Sequence, residues 1–448
     1  MNSRRVAFES LISVEESDAY LNLVLPRLLD KANLSVQDAG FATELAYGTS
    51  RNQGFYDWVI SKVTGRPIEE IDLEALVVLR LGAHQLITLN TPGHAAIFET
   101  VELAKKVLKQ SAVGFVNAAL RRISEKSFDL WLQILQRANL SEDDYLAIRY
   151  SHPTWVVRSI RLALQSEGAA DELETALEAD NRNPAVNLVL LPNRDEPAIE
   201  QLQRVGVSPL GFELQGGDPS KLGPIMNGSM RVQDQGSQLS ALALSGVMPI
   251  KNGEKWLDLC AGPGGKAALL AALGAKSGVE LTTNEPLEHR ADLVETTLRH
   301  SGLKAKQLRL DGRDLPKNLM FDRIMLDAPC TGLGALRRRP ESRWRKNADQ
   351  LKQLSTIQRE LLQSAWQHLK PGGVLAYVTC SPHPSETTSQ VEWFLRSTPN
   401  AKLLDAGEVV RELSPGIQMK PGRKTVQLWP HRNVTDAMFI CLVSKQAD

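Results

Sequence analysis

Apolar positions in the first 130 residues recur at intervals of three and four, the period of helices that bury one stripe. Ile97, Val101, Ala104 and Leu108 fall on one face of a helix predicted to follow the Thr91-Pro92-Gly93-His94 loop. Leu73, Leu76, Val77 and Leu81 have compatible spacing within 72–89, and no alternating strand pattern interrupts this third. An all-α bundle is predicted there. From about 140 to 235 the pattern is mixed: helical over 150–164, extended over 185–191, helical near 199–205, then extended over 229–233 before a helix beginning near Ser237. That reads as a small α+β unit. Beyond residue 250, short apolar runs at 256–259, 279–283, 307–310, 324–326, 374–378 and 437–443 are separated by helical lengths. Such alternation predicts βαβ units, a parallel sheet and helices on both faces, a Rossmann-like α/β arrangement. The expected organisation is therefore three domains, at 1–135, 136–235 and 236–448.

Composition narrows the functional classes only a little. The 448 residues exceed a single small binding module, and 42% hydrophobic with 23% charged residues is the balance of a folded, soluble protein. Lys plus Arg (52) cancels Asp plus Glu (52), so any basic surface for nucleic acid must be local. Four cysteines, Cys260, Cys330, Cys380 and Cys441, are too sparse for a disulfide framework, and a reducing cytoplasmic setting is expected. Glu9, Glu15 and Glu16 interrupt any secretory h-region, and no apolar run reaches membrane-spanning length. The cysteines also lack zinc-ligand spacing and no H-E-x-x-H helix occurs, so no metal is expected.

The candidate chemistry begins after the first strand of the α/β region. There Asp258-Leu-Cys260-Ala-Gly262-Pro-Gly264-Gly265-Lys266 sets a carboxylate near the strand end and three glycines in the turn, where open α/β sheets bind ligands. A Walker loop is excluded, because it needs Gly at position 260 and Ser or Thr at 267. Gly262-x-Gly264-x-x-Ala267 loosely satisfies a dinucleotide fingerprint, and Glu285 could bond a ribose hydroxyl in either an NAD or an S-adenosylmethionine site. Cys441 lies in an apolar run and reads as packing, a role open to Cys260 as well.

The Asp258–Lys266 run, Asp327-Ala-Pro-Cys330 and Thr379-Cys380-Ser381, in that order over the last 210 or so residues, resemble the Sun/RsmB group of RNA cytosine-5 methyltransferases. Residues 95–105 and 115–121 resemble the helical RNA-binding domain of the antitermination factor NusB, a likeness covering roughly the first 130 residues. The first resemblance implies S-adenosylmethionine as cofactor, bound by Cys260, Ala261, Gly262, Pro263, Gly264, Gly265, Lys266, Glu285, Arg290, Asp311 and Asp327. The glycine loop would cradle the methionine part, Glu285 the ribose, and Asp311 would lie near the adenine. It further implies that Cys380 attacks the base, Cys330 assists its release, Asp327 recognises the cytosine edge, and Lys266 supplies a polar group near the base. The chemistry agrees: carbon 5 of cytosine becomes nucleophilic once a thiolate adds to carbon 6, and that thiolate must later leave.

The implied partner is 16S ribosomal RNA, or an early small-subunit particle, met by a monomer. Transfer RNA as substrate and a non-catalytic RNA-binding or antitermination factor are the alternatives. Two basic stretches are candidate RNA contacts: Arg337-Arg338-Arg339 through Arg343-Trp344-Arg345-Lys346, and the weaker Lys420, Arg423, Lys424 and Arg432. The segments Asn181-Arg182-Asn183-Pro184, Asn193-Arg194 and 150–155 match the resemblance loosely. An unpaired cytosine is the expected target, since extruding a paired one costs energy.

Overall fold

The computed structural model describes residues 1–17 and 19–446. Its chain divides into two compact units, one built from Met1–Arg158, Leu177–Arg182 and Leu336–Lys346, the other from Ser159–Ala176, Asn183–Ala335 and Asn347 onward. The chain enters each unit more than once, so this division into compact bodies does not follow the boundaries of the stretches 1–135, 136–235 and 236–448. The small sheet is not set apart from the large one, because Val189 and Leu191 share an apolar core with Leu239, Leu242 and Trp256.

The first unit is helical throughout, with helices at Ser3–Ser17, Leu21–Ala32, Val36–Arg51, Gln53–Thr64, Leu73–Ala83, Gly93–Val107, Gln110–Ser124, Phe128–Gln136 and Glu142–Arg149. Ser35, Ser127 and Ser141 cap three of them by accepting from the amides of Asp38, Leu130 and Asp144. The most buried stripe of the Gly93–Val107 helix is Ala96, Thr100, Leu103 and Ala104; Ile97 and Val101 sit at its margin, and Leu108 lies beyond the helix in extended conformation. The expected face was rotated because Thr100, polar by type, is buried, its hydroxyl bonded by Gln85 Nε2 at 3.1 Å.

The Arg337–Lys346 stretch belongs to this helical unit, and its charges are largely consumed there. Arg343 is fully buried: its guanidinium donates to the carbonyls of Ser151 (2.8 Å), Arg51 (3.2 Å) and Asp180 (3.3 Å) and to Asn181 Oδ1 (2.9 Å). Arg345 donates to the carbonyls of Val14 and Ala19, and the guanidinium groups of Arg339 and Arg345 lie over the Tyr20 ring. Arg337 is also buried. Arg343 and Arg345 therefore satisfy backbone acceptors that would otherwise be stranded in the interior, which corrects the reading of the whole stretch as an RNA contact. Replacing Arg343 with Met strands three carbonyls and should destabilise the helical unit by about 3 kcal/mol. We expect its unfolding transition to move down while the salt dependence of RNA binding stays at the wild-type slope; normal melting with a reduced slope would restore the RNA-contact reading.

The second unit carries two sheets. Strands β1 (Val186–Leu190), β2 (Leu202–Gln203), β3 (Gly211–Leu214) and β4 (Met230–Val232) form an antiparallel sheet in the order β2-β3-β1-β4. The helix expected at 199–205 is absent; β2 lies there, paired with β3. Strands β5 (Lys255–Asp258), β6 (Glu280–Asn284), β7 (Lys306–Leu308), β8 (Phe321–Asp327), β9 (Leu369–Thr379), β10 (Ala401–Leu403) and β12 (Phe439–Lys445) form the large sheet in the order β10-β12-β9-β8-β5-β6-β7, with β11 (Val426–Gln427) on β12. The five strands β5 to β9 are parallel as expected. β12, expected to continue them, runs antiparallel to β9 and brings Cys441 into the buried core opposite Tyr377. The order reverses at β5, whose neighbours are β6 on one side and β8 on the other, the topological point at which such sheets open a crevice at their carboxyl ends. No helix among the described residues is long and apolar enough to cross a membrane.

Candidate active site

The turn after β5 occupies this crevice. Gly264 has φ +104, a left-handed conformation closed to most side chains, and its amide donates to Ala261 O at 2.7 Å before the helix Gly265–Gly274 begins. The loop is gripped from the end of β6. Glu285, 3% exposed, accepts from the Gly262 amide (3.1 Å) and the Leu287 amide (3.2 Å), while Arg290 donates to Gly262 O (2.8 Å) and pairs with Glu285 (3.4 Å). Asn284 braces three strand ends: its amide nitrogen donates to the Leu259 and Leu310 carbonyls, and its oxygen accepts from the Leu310 amide. That role was not visible in the sequence, where Asn284 was only the neighbour of Glu285.

Cys330 and Cys380 come from the adjacent parallel strands β8 and β9, in register at Asp327 and Val378. Their sulfurs lie 3.4 Å apart, both as free thiols. The hydrogen bond to Cys380, reinforced by burial, pushes the Cys330 thiol well up, so Cys330 holds its proton strongly. The loop after Cys330 is stitched to the other strand: the Gly334 amide donates to Cys380 O (2.8 Å), and Gly334 O accepts from the Ala437 amide (2.8 Å). A Cβ at Gly334 would collide with the Ala437 carbonyl and crowd that of Cys380. Sequence reasoning missed Gly334; the only trace was a Thr331-Gly332-Leu333-Gly334 run after the cysteine.

Charges complete the geometry. Lys266, from the helix after the glycine loop, donates to Asp327 Oδ2 at 2.9 Å. Burial works against its charge, yet Asp327 and then Cys380 hold its proton affinity above the ordinary value. Asp258 is fully buried and neither of its carboxylate oxygens meets a hydrogen-bond partner. Burial, with Asp327 nearby, pushes it up to about 7. The Cys260 thiol is pushed up by burial and then by Asp258 and Asp327. Ala261 and Pro263 lie in the same loop, and Pro263 O accepts from the Thr297 hydroxyl (3.2 Å).

Thus Cys260 through Lys266, Glu285 and Arg290 form one direct contact set around the loop, and Lys266 links it to Asp327. Asp311 stands apart from them. It lies on the loop beyond β7, next to the Asn284 brace at Leu310, and its carboxylate is taken by Arg313 (2.6 Å), whose hydrogen bonds pull it down to about 2. Of the second basic stretch, Arg432 is committed to Glu167 and Glu172 at 2.7 and 2.6 Å. Arg423 donates to the Ser166 carbonyl, and it lines a small cavity with Lys420, Ser166 and Pro382, the last of these lying two residues beyond Cys380. No group of three or more His, Cys, Asp or Glu with metal-holding geometry occurs among the described residues.

Comparison with known proteins decides the family. Residues 246–444 match the family described as 16S rRNA methyltransferase RsmB/F, and residues 1–125 match the NusB family. Ribosomal RNA small subunit methyltransferase B of Klebsiella pneumoniae (strain 342) is 32% identical over 437 residues, covering 94% of this chain and 95% of its own length. The chain belongs to the RsmB/F family. Putative methyltransferase MT1451 of Mycobacterium tuberculosis (strain CDC 1551 / Oshkosh) is 44% identical over 443 residues, covering 98% of this chain and 95% of that protein. The crystal structure of PH0851 has the same fold, with a TM-score of 0.81 over 99% of this chain and 98% of that one at 24% identity. The RsmB/F match includes the glycine loop, Asp327, Cys330 and Cys380, so the paired thiols sit within the methyltransferase region of the chain.

Proposed function

We propose that this RsmB/F methyltransferase transfers a methyl group from S-adenosylmethionine to carbon 5 of a cytosine in 16S ribosomal RNA, through a transient bond between Cys380 and carbon 6. The observation that carries this reading is the 3.4 Å approach of two thiols at the carboxyl ends of neighbouring strands, beside the Lys266–Asp327 pair. One thiol suffices to attack; a second in contact with it has a use when the first must leave.

The residues at the loop fit the cofactor. Asp327 and Glu285 offset the two positive charges of Lys266 and Arg290, and Asp258, with two stranded oxygens, adds a third negative charge when it is ionised, above about pH 7. S-adenosylmethionine carries a sulfonium and an ammonium against one carboxylate, so its net positive charge balances that cluster. The glycine loop, with the Gly265 amide at the start of its helix, and Asp258 would hold the methionine end, and Glu285 has lone pairs left for ribose hydroxyls after accepting from two amides. When bound, the cofactor supplies an electrophilic methyl group.

The remaining chemistry falls to this chain. Lys266 favours the thiolate of Cys380, which attacks carbon 6 and makes carbon 5 nucleophilic. Asp327 and Lys266 face the base edge. After methylation the carbon 5 proton passes to solvent, the carbon–sulfur bond breaks, and the Cys330 S–H hydrogen-bonds the departing sulfur. Lys420, beside Pro382, suits a flanking phosphate.

Incubation with unmodified small-subunit RNA and methyl-labelled S-adenosylmethionine should yield labelled 5-methylcytidine. Label confined to transfer RNA, or to another position of the base, would replace the target or the chemistry. A second expectation concerns pH. Protonating Asp258 removes the negative charge that receives a cation, so cofactor affinity should rise between pH 5.5 and 7, below the range where the cofactor's own amine titrates. Without ligand the same group acts oppositely: the folded chain holds a proton that the unfolded chain releases near pH 4, so this contribution to stability falls as pH rises from about 4 to about 7. Calorimetric titration of Asp258→Asn should give weaker binding with a flat profile over that interval; a flat wild-type profile would remove Asp258 from the cofactor site.

A further inference from the structure

Behind the two sulfurs lies a buried polar network that the proposed reaction does not use. Glu386, in the short helical turn Pro384–Glu386, is completely inaccessible, and its carboxylate is held by Thr331 and Gln358, with no cation paired to it among the described residues. Its Oε1 accepts from the Thr331 amide (2.8 Å) and from Gln358 Nε2 (3.2 Å), and its Oε2 accepts from the Thr331 hydroxyl. The Thr331 oxygen lies 3.3 Å from the Ser381 hydroxyl, which in turn accepts from the His383 amide (3.2 Å). Tyr377 closes the back of the network, donating to the Glu386 carbonyl (2.8 Å). Thr331 immediately follows Cys330, and Ser381 immediately follows Cys380. A buried carboxylate held by neutral donors is costly, and it persists here where the turns after the two thiols meet.

We infer that Glu386 is a positioning residue for the thiol pair: it fixes the turn after Cys330 directly and the turn after Cys380 through the Thr331 and Ser381 hydroxyls, holding the two sulfurs in contact. It rests on the reading that Cys330 and Cys380 carry the reaction. The Glu386 carboxylate has a second effect: after the hydrogen bond to Cys380 and burial, its proximity helps keep Cys330 in the thiol form, ready to hydrogen-bond the departing sulfur. Geometry and charge are separable. In Glu386→Gln the amide oxygen can take the Oε1 position and its NH2 group the Oε2 position, where the Thr331 hydroxyl turns to accept, so the network survives without its charge.

The test reads the thiols without requiring turnover. In the full-length protein without RNA, iodoacetamide alkylation of Cys330 is followed by peptide mass spectrometry as a function of pH, for wild type and Glu386→Gln. The half-reaction point of Cys330 should move down by about one pH unit in the variant, and the alkaline limb of the methyl-transfer profile should move with it. An unchanged Cys330 profile in a folded Glu386→Gln protein would overturn the charge effect. The positioning role is read in Thr331→Val, which removes the hydroxyl link between the two turns: it should lower kcat about tenfold with KM for RNA unchanged, and a wild-type kcat would overturn the inference. Failure of the underlying reading is distinct, because it would appear as methyl transfer that survives in Cys380→Ala with Glu386 intact.

Discussion

Replacing Cys330 with Ala should yield a protein that joins covalently to its RNA and does not let go. With S-adenosylmethionine and substrate RNA present, the variant should accumulate a denaturant-resistant complex approaching one RNA per protein, while the wild type shows little at steady state. The reason is local. Cys330 lies 3.4 Å from the Cys380 sulfur and holds its proton strongly, so it is the donor placed to stabilise that sulfur as the carbon–sulfur bond breaks. Alanine leaves Cys380 free to attack and removes the help it needs to depart. Turnover should stop after about one cycle. Normal RNA binding without any adduct would show that Cys330 has no part in release.

The second large effect is at the other sulfur. Cys380→Ala should reduce methyl transfer by at least about 10³-fold, the scale of losing a nucleophile that no neighbour replaces. RNA affinity should remain near wild type, because the candidate phosphate contact Lys420 is untouched. The double variant Cys330→Ala/Cys380→Ala should form no adduct at all. Labelled 5-methylcytidine made by Cys380→Ala at the wild-type rate would end the nucleophile assignment.

What could be seen in advance was local chemistry at strand ends. Asp258, the glycine loop, Glu285, Asp327, Cys330 and Cys380 each stand in a short motif, and a parallel sheet delivers such residues to one edge, so their meeting followed from topology. What could not be seen depends on partners distant in sequence. Arg343 looks like a solvated cation in its own neighbourhood; its acceptors lie at Arg51, Ser151, Asp180 and Asn181, and only the folded chain turns a basic run into buried scaffolding. Glu386 likewise lies 55 residues from Thr331, and a Glu in a Ser-Glu-Thr turn reads as solvent-facing. Thr100 and Asn284 show the same limit at smaller scale, each a polar residue buried by a single satisfied bond pattern. The helix expected at 199–205 failed for another reason: pairing of Leu202 and Gln203 with β3 overrode a weak local pattern.

The account turns on which atom of the protein bonds to the base. Small-subunit RNA containing 5-fluorocytidine offers a direct reading, because fluorine at carbon 5 takes the place of the proton that must leave and freezes the adduct. After reaction with the wild-type protein and S-adenosylmethionine, digestion and tandem mass spectrometry should place a methylated fluorocytidine on Cys380. The same nucleotide on Cys330, or methylated RNA with no protein attached, would contradict it.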